Sequence, residues 1–314
     1  MLLDVLKALA DASRLRLVAI LLRGEFTVQE LTAILAMGQS RISRHLKILT
    51  EVGVLSVKRQ GTWSYYRASS ESPFFHAIRP VLEQELETLP EREKDLAQIA
   101  AVLEARRQRS RQFFDQHARQ WDNLARTLLP VPDYREQLLA LIPQGKQVVE
   151  IGLGTGGLLP ALTQKACSVI GVDHSPAMLD EARRRLDASG IAGVDLRLGE
   201  MNHLPLPDRS VDCAILNMVL HHAADPPSVL AEIKRVLVGG GSLLLADLAR
   251  HERELAREQL ADQWLGFEEE ELRHWLKEAD FGTVAIAQVP PLQGQEAVLL
   301  IQAYTPTKEN EHGN

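Results

Sequence analysis

At 314 residues, with two cysteines and a formal charge of −7, the chain is long enough for two hydrophobic cores and too poor in cysteine for a disulfide scaffold. No apolar run approaches the ~20 residues that span a bilayer, and no basic segment precedes an apolar one at the N-terminus, so a cytoplasmic protein is expected. Charge is divided unevenly: residues 1–70 hold 10 Lys and Arg against 5 Asp and Glu, the remainder 25 against 37, which fits a nucleic-acid-binding module joined to an acidic body.

Residues 2–10 and 13–22 show helical spacing, with Ser13 expected as an N-cap and Gly24 as a stop. Thr27 is expected to cap a short helix over 28–36. After the turn Met37-Gly38, Ile42, Leu46 and Leu49 fall at i, i+4 and i+7. One helix face therefore packs inward and presents Gln39, Ser40, Arg41, Ser43, Arg44 and Lys47, a groove-reading set. Gly53 ends that helix. Residues 54–58 and 62–67 alternate like two strands joined by Arg59, Gln60 and Gly61, and a hairpin after a helix-turn-helix is a wing. Lys58 and Arg59 lie near its tip, within reach of phosphates or the minor groove.

The stretches Ser13-Arg14-Leu15-Arg16-Leu17, Ser43-Arg44-His45-Leu46-Lys47-Ile48-Leu49 and Gly61-Thr62-Trp63-Ser64-Tyr65-Tyr66-Arg67 resemble the ArsR family of winged-helix regulators. The resemblance implies a homodimer on palindromic operator DNA, with one recognition helix per half-site. His45 and Trp63 are expected to pack rather than to touch bases. The family's metal sensors carry cysteines where this chain has Thr27 and Gln29, which supply no thiolate. No metal site is therefore expected.

Beyond the wing, Phe74, Phe75, Ile78, Leu82 and Leu86 form an apolar stripe suited to a dimer interface or to packing within the subunit. Pro90 interrupts it. A long helical stretch over 91–129 follows, with Arg106, Arg107, Arg109 and Arg111 in a polar run read as solvated, and Phe114, Trp121, Leu124 and Leu128 on an apolar face. Residues 71–128 are thus expected to be a helical dimerisation, linker and lid segment.

From residue 129 to 305 strand and helix patterns alternate, which implies a parallel sheet with crossover helices. Val148-Val149-Glu150-Ile151 reads as a buried strand ending in the turn Gly152-Leu153-Gly154-Thr155-Gly156-Gly157. Its glycines satisfy two patterns, a dinucleotide register (Gly152, Gly154, Gly157) and an adenosylmethionine register (Gly152, Gly154, Gly156). A second strand ends in Asp173, suited to ribose hydroxyls or to capping the next helix. A third ends in Glu200 and Met201. Strands follow over 212–217 and 242–247 around a helix over 226–238. Residues 284–289 and 297–304 pair as an edge hairpin, and 306–314 reads as a disordered tail.

The ordered set Glu150-Ile151-Gly152-Leu153-Gly154-Thr155-Gly156, Asp173, Leu204-Pro205-Leu206-Pro207, Asp212, Leu220-His221-His222 and Val236-Leu237-Val238-Gly239-Gly240-Gly241 resembles class I S-adenosylmethionine-dependent methyltransferases, a Rossmann-like fold with a seven-stranded, mostly parallel sheet. The resemblance implies Gly152, Gly154 and Gly156 beneath the methionine moiety and Glu150 beside it. It also implies Asp173 on the ribose, Met178, Glu200 and Met201 around adenine, and Asn217 near the methyl end. The phrase from Phe113 to Asp122 resembles the lid helix that precedes such domains. The residue after Asn217 is Met218, so the amino-group signature is absent, and no arsenic-type cysteine pattern occurs. His221, His222 and Asp247 are candidates for a general base, but no catalytic set can be assigned. The pairing of domains is similar to SahR-type regulators, which implies a repressor of methionine-cycle genes with S-adenosylhomocysteine or S-adenosylmethionine as effector. An active methyltransferase with a self-regulating DNA-binding domain is the alternative.

Overall fold

The computed structural model describes residues 2–69 and 72–307. The chain divides into two compact units, one ending at Arg106 and the other beginning at Arg107. The expected separate segment over 71–128 is therefore shared between the units. The winged-helix unit is larger than the residues 1–70 expected for it, because the helices after the wing bury apolar faces in its core.

In the first unit, α1 (Leu2–Leu9), α2 (Ala12–Leu21), β1 (Phe26–Thr27), α3 (Val28–Leu35) and α4 (Gln39–Glu51) precede a wing of β2 (Leu55–Gln60) and β3 (Trp63–Ala68). The cap of α2 is Asp11, whose carboxylate accepts from the Arg14 N–H at 3.0 Å. Ser13, the expected cap, lies inside the helix, and the helix stops at Leu21 with Leu22 as its C-cap, before Gly24. The acid precedes the helix and its oxygen reaches the free third amide, a geometry unavailable to a serine already inside the first turn. Thr27 caps α3 as expected, in a capping box with Glu30. β1, β3 and β2 form a three-stranded antiparallel sheet in that order.

Next come α5 (Pro73–Leu86) and α6 (Arg92–His117). Phe75 and Leu86 are buried, and Phe74, Ile78 and Leu82 pack against the same core as Leu17, Ile34 and Leu46. The stripe is used within the subunit. Arg106 is not solvated as expected: its side chain is 5% exposed, and Nε and Nη2 donate to the two Glu30 oxygens at 2.8 Å each.

In the second unit, α7 (Trp121–Leu128) and α8 (Arg135–Ala140) lead into β4 (Gln147–Ile151), α9 (Leu159–Lys165), β5 (Ser168–Asp173), α10 (Pro176–Ala188) and β6 (Val194–Leu198). There follow β7 (Val211–Asn217), α11 (Pro226–Val236), β8 (Leu237–Leu248), α12 (Glu254–Gln259), α13 (Glu269–Glu278), β9 (Val284–Val289) and β10 (Val298–Tyr304). The seven strands lie in the order β6-β5-β4-β7-β8-β10-β9. The first five are parallel, whereas β10 runs antiparallel to both neighbours. Apolar runs such as Val148-Val149 and Ala214-Ile215-Leu216 are buried because helices cover both sheet faces.

Smaller differences have local causes. β6 ends at Leu198, short of Glu200, which lies in a tight turn bridged to His203. β8 starts at Leu237 and incorporates Gly239, Gly240 and Gly241. Cys213 is buried, whereas Cys167 is exposed at the approach to β5. Pro306 accepts from the Gly240 N–H, so the tail expected from residue 306 is anchored at its start; residues 308–314 lie outside those described. No helix among the described residues is long and apolar enough to cross a membrane.

Candidate functional site

On α4, Ile42, His45, Leu46 and Leu49 are buried, while Gln39, Ser40, Arg41, Ser43, Arg44 and Lys47 are all exposed. Arg41 donates to the Ser13 hydroxyl at 3.3 Å. Burial holds His45 below the ordinary imidazole range, with Arg14, Arg41 and Arg44 adding to the effect against the pull of Asp11. His45 thus packs as a neutral ring, and the helix offers its charge through the arginines and Lys47. Lys58 and Arg59 stand in β2 near the Gly61 turn, Lys58 partly buried and Arg59 exposed; Trp63 stacks on Tyr65 with centroids 6.3 Å apart.

At the end of β4 the chain turns through Gly152 (φ +66°), Gly154 (φ +56°) and Gly156 (φ +77°). A Cβ on Gly152 would fall 2.2 Å from Val219, and one on Gly156 would fall 2.8 Å from Leu159. One on Gly154 would meet nothing within 4 Å. Gly157 has no left-handed φ, and its nearest neighbour would be Arg135 at 3.7 Å. The backbone therefore requires Gly152, Gly154 and Gly156, with open space over Gly154.

Asp173, at the end of β5, accepts from the Gly154 N–H and the Ser175 N–H, each at 2.9 Å. It thus staples the glycine turn and the start of α10, and burial raises its pKa. Ser175 caps α10 and places buried Met178 in the first turn. Glu150 is 2% exposed with Oε2 accepting from no described residue. Burial, then the nearby Asp173 charge, push it up to about 8, against the pull of Arg135. Asn217 accepts from the Tyr134 hydroxyl at 2.8 Å. The lid phrase is tied over the turn: Asp122 accepts from the Thr155 hydroxyl at 2.8 Å, and Asp115 from the Ser175 hydroxyl at 2.6 Å. Phe114 packs on Met178 and Trp121.

Glu200 and Met201 line a cavity of about 20 Å³ together with Arg107, Ser110, His174 and His222. That is room for about one water and far too little for an adenine ring. Arg111, read from the sequence as solvated, donates to the Glu200 carboxylate.

Two family models match the chain: the bacterial regulatory protein arsR family over residues 4–57 and a methyltransferase domain over residues 149–245. The chain is an ArsR-family helix-turn-helix domain fused to a class I methyltransferase domain. Among similar proteins, a malonyl-[acyl-carrier protein] O-methyltransferase of Serratia marcescens is 32% identical over 42% of this chain and 49% of its own length. An arsenite methyltransferase of Halobacterium salinarum is 33% identical over 35% of this chain and 29% of its own. The matched segment thus spans about half or less of these relatives. A Haloferax volcanii methyltransferase, solved in complex with the Trm112 methyltransferase activator, has a TM-score of 0.51 at 22% identity, covering 62% of this chain and 97% of that one, and so shares the fold.

The methyltransferase domain holds two features that the sequence did not reveal. Arg135 at the start of α8 lies beside Gly157, and its charge favours the ionised form of Glu150. A buried polar group also gathers behind the 3-10 turn Leu220–His222. His221 Nδ1 is 2.6 Å from Asp247 Oδ1, and the Asp247 carboxylate also accepts from the Leu220 N–H (2.8 Å) and the Leu248 N–H (2.7 Å). Asp262 stands opposite, its Oδ1 3.8 Å from His221 Nε2 and 3.6 Å from His222 Nδ1. Burial alone would lower the His221 pKa, but Asp247 and Asp262 outweigh it and raise it to about 9. Burial and His221 hold His222 well below its ordinary value. The two carboxylates thus favour the imidazolium of His221, which makes it a poor general base.

Proposed function

We propose that this chain is a DNA-binding transcriptional regulator whose methyltransferase domain binds S-adenosylhomocysteine or S-adenosylmethionine as an effector. In this reading it acts as a homodimer on palindromic DNA and represses genes of the methionine cycle, as SahR-type regulators do. Gly152, Gly154 and Gly156 lie under the amino-acid moiety, with Glu150 and Arg135 at its charged end. Asp173 takes the ribose, Met178, Glu200 and Met201 take adenine, and Asn217 is at the sulfur end.

The observation that carries the effector reading is the closed adenine end. Glu200 is held by Arg111, and the space beside it admits about one water, not an adenine ring. A bound adenine ring must displace Arg111 and its neighbours on α6. That helix also supplies Ile99 to the core of the first unit. A ligand that favours one arrangement of α6 shifts operator affinity by its differential binding, typically about 1–3 kcal/mol.

The alternative, an active methyltransferase, is supported by the relatives that carry that name. Against it stands the pull of Asp247 and Asp262 towards a charged His221, with no other evident base among the described residues. Arsenic chemistry in particular has only two cysteines to draw on, Cys213, whose burial pushes its thiol up to about 11, and Cys167, exposed at the approach to β5. The deciding test is calorimetric titration of both ligands into the full chain, with and without a duplex selected from a random-sequence pool. Operator affinity indifferent to saturating ligand would end the effector reading, because linkage is reciprocal. Steady release of S-adenosylhomocysteine with a metabolite acceptor would establish the alternative.

A further inference from the structure

The buried group behind Leu220–His222 is not needed by the effector reading, and its geometry asks for a cation. Asp262 is 2% exposed, yet neither carboxylate oxygen accepts a hydrogen bond from any described residue. Its position is not loose. Ala261 is held at φ +60°, and the next two amides, of Gln263 and Trp264, both donate to the His221 carbonyl at 3.0 Å. Trp264 adds a second tie through Nε1 to the Ala223 carbonyl at 2.8 Å. These bonds fix Asp262 against the two imidazoles. Burying a carboxylate without a donor is costly, and a fold that over-determines such a position points to a partner for it.

We infer that His221, His222 and Asp262 form a binding site for one divalent first-row transition-metal ion of the zinc class. One ligand atom from each of the three lies within 4.8 Å of the others. The His–Asp separations of 3.6 and 3.8 Å compare with about 3.3 Å between neighbouring ligands around tetrahedral zinc, as follows from metal–ligand distances near 2.0 Å. A contraction of a few tenths of an ångström brings each His–Asp pair to that separation, with the two imidazole nitrogens within 4.8 Å of one another. The ring of His221 is already oriented towards the ion: its Nδ1–H donates to Asp247 at 2.6 Å and leaves Nε2 facing Asp262, the arrangement in which an outer carboxylate fixes the tautomer of a metal-bound imidazole. His222 has Nε2 without a described partner, while its Nδ1, 3.6 Å from the carboxylate, also stands 3.4 Å from the Ala261 carbonyl, a long contact that metal ligation would replace. Two neutral imidazoles with the Asp247 and Asp262 carboxylates balance a dication. Nitrogen and carboxylate donors without thiolate suit zinc and its neighbours and disfavour calcium or magnesium.

The test uses the untagged full chain, stripped with a chelator and titrated with Zn²⁺ against a chromophoric competitor, with Co²⁺ as a spectroscopic probe. One equivalent of Zn²⁺ is expected, together with the visible absorption of four-coordinate Co²⁺ and a raised melting temperature. Asp262→Asn is expected to weaken Zn²⁺ at least tenfold and to abolish the melting shift. The metal-free variant should melt no lower than the metal-free parent, since it removes a buried carboxylate that accepts no hydrogen bond from any described residue. His222→Gln gives a second loss of affinity should the first variant misfold. No uptake by the parent chain overturns the site, as does uptake unchanged in both variants, which would be surface binding. An Asp262→Asn chain that melts lower when metal-free also overturns it, in favour of a simple ion pair with His221.

Discussion

The guanidinium of Arg111, near the end of α6, donates to the carboxylate of Glu200, just beyond β6. In the proposed effector reading Glu200 is the acceptor for the adenine amine, so Arg111 competes with the ligand for it. Arg111→Ala should therefore raise affinity for S-adenosylhomocysteine. The side chains are 39% and 28% exposed, and an exposed pair is worth at most about 1 kcal/mol, so the gain is no more than about five-fold. The same variant should lose coupling between ligand and operator, because the contact that reports occupancy is gone. Calorimetry with and without DNA measures both, and a fall in ligand affinity would show that Arg111 helps to bind the ligand.

Glu150 provides a proton-linked signature. Buried beside Asp173, its pKa stands at about 8 against an ordinary value near 4.5, so the folded chain carries a proton there that the unfolded chain has lost. Its contribution to stability is full below the unfolded value and declines as pH rises towards 8. A ligand ammonium placed against Glu150 favours its ionised form. Binding between about pH 5 and pH 7.5 should then release close to one proton, seen as a dependence of binding enthalpy on buffer ionisation heat. Glu150→Gln should remove that dependence, and equal enthalpies in phosphate and Tris for the parent chain would place the ammonium elsewhere.

Much of the fold was legible because its signals are local. Continuous apolar runs mark strands buried on both faces, as in Val148-Val149, and the i, i+4, i+7 pattern of Ile42, Leu46 and Leu49 fixes which face of α4 turns outward. The glycine register was ambiguous in the letters and is decided by φ, a property of the folded turn. What could not be read depends on contacts across long stretches of chain. Arg106 looks solvated until Glu30, 76 residues away, closes on it. His221 gains meaning only when Asp247 and Asp262 arrive, the first from 26 residues on. Asp11 took the cap from Ser13 through a shift of two residues that spacing does not resolve.

The three glycines should separate under substitution by alanine. Gly156→Ala combines a left-handed φ with a contact at 2.8 Å to Leu159 and one at 3.2 Å to Ala182, and should cost about 2–4 kcal/mol through strain and overpacking. Gly154→Ala meets no atom and should cost about 1–2 kcal/mol from φ alone, yet it should abolish ligand binding by filling the space above the turn. Gly157→Ala should change stability by less than about 1 kcal/mol. Thermal melts and ligand titration check the three together. A folded Gly154→Ala chain that binds normally would place the ligand away from this turn.

Arg106 tests the winged-helix unit in a different way. Its two bonds to Glu30 join α6 to a carboxylate that also accepts from the Thr27 amide at 2.8 Å and hydroxyl at 3.0 Å in the capping box of α3. Arg106→Ala leaves Glu30 largely enclosed without its cation, which should cost about 3 kcal/mol. Arg106→Lys should recover only part of that, because an ammonium cannot bond both oxygens in the planar fork that the guanidinium makes. Arg44→Ala is the contrast. Arg44 is exposed on α4, so its removal should leave stability within about 0.5 kcal/mol while weakening DNA binding. If Arg44 contacts a phosphate, the slope of log affinity against log salt should become shallower by about 0.9 and the loss should be the same on every sequence. If it reads a base, the slope should hold and discrimination at one position should fall by about 1–3 kcal/mol. Fluorescence anisotropy across a salt series separates these outcomes, and an Arg44→Ala chain with unchanged affinity at all salt concentrations would remove α4 from the DNA interface.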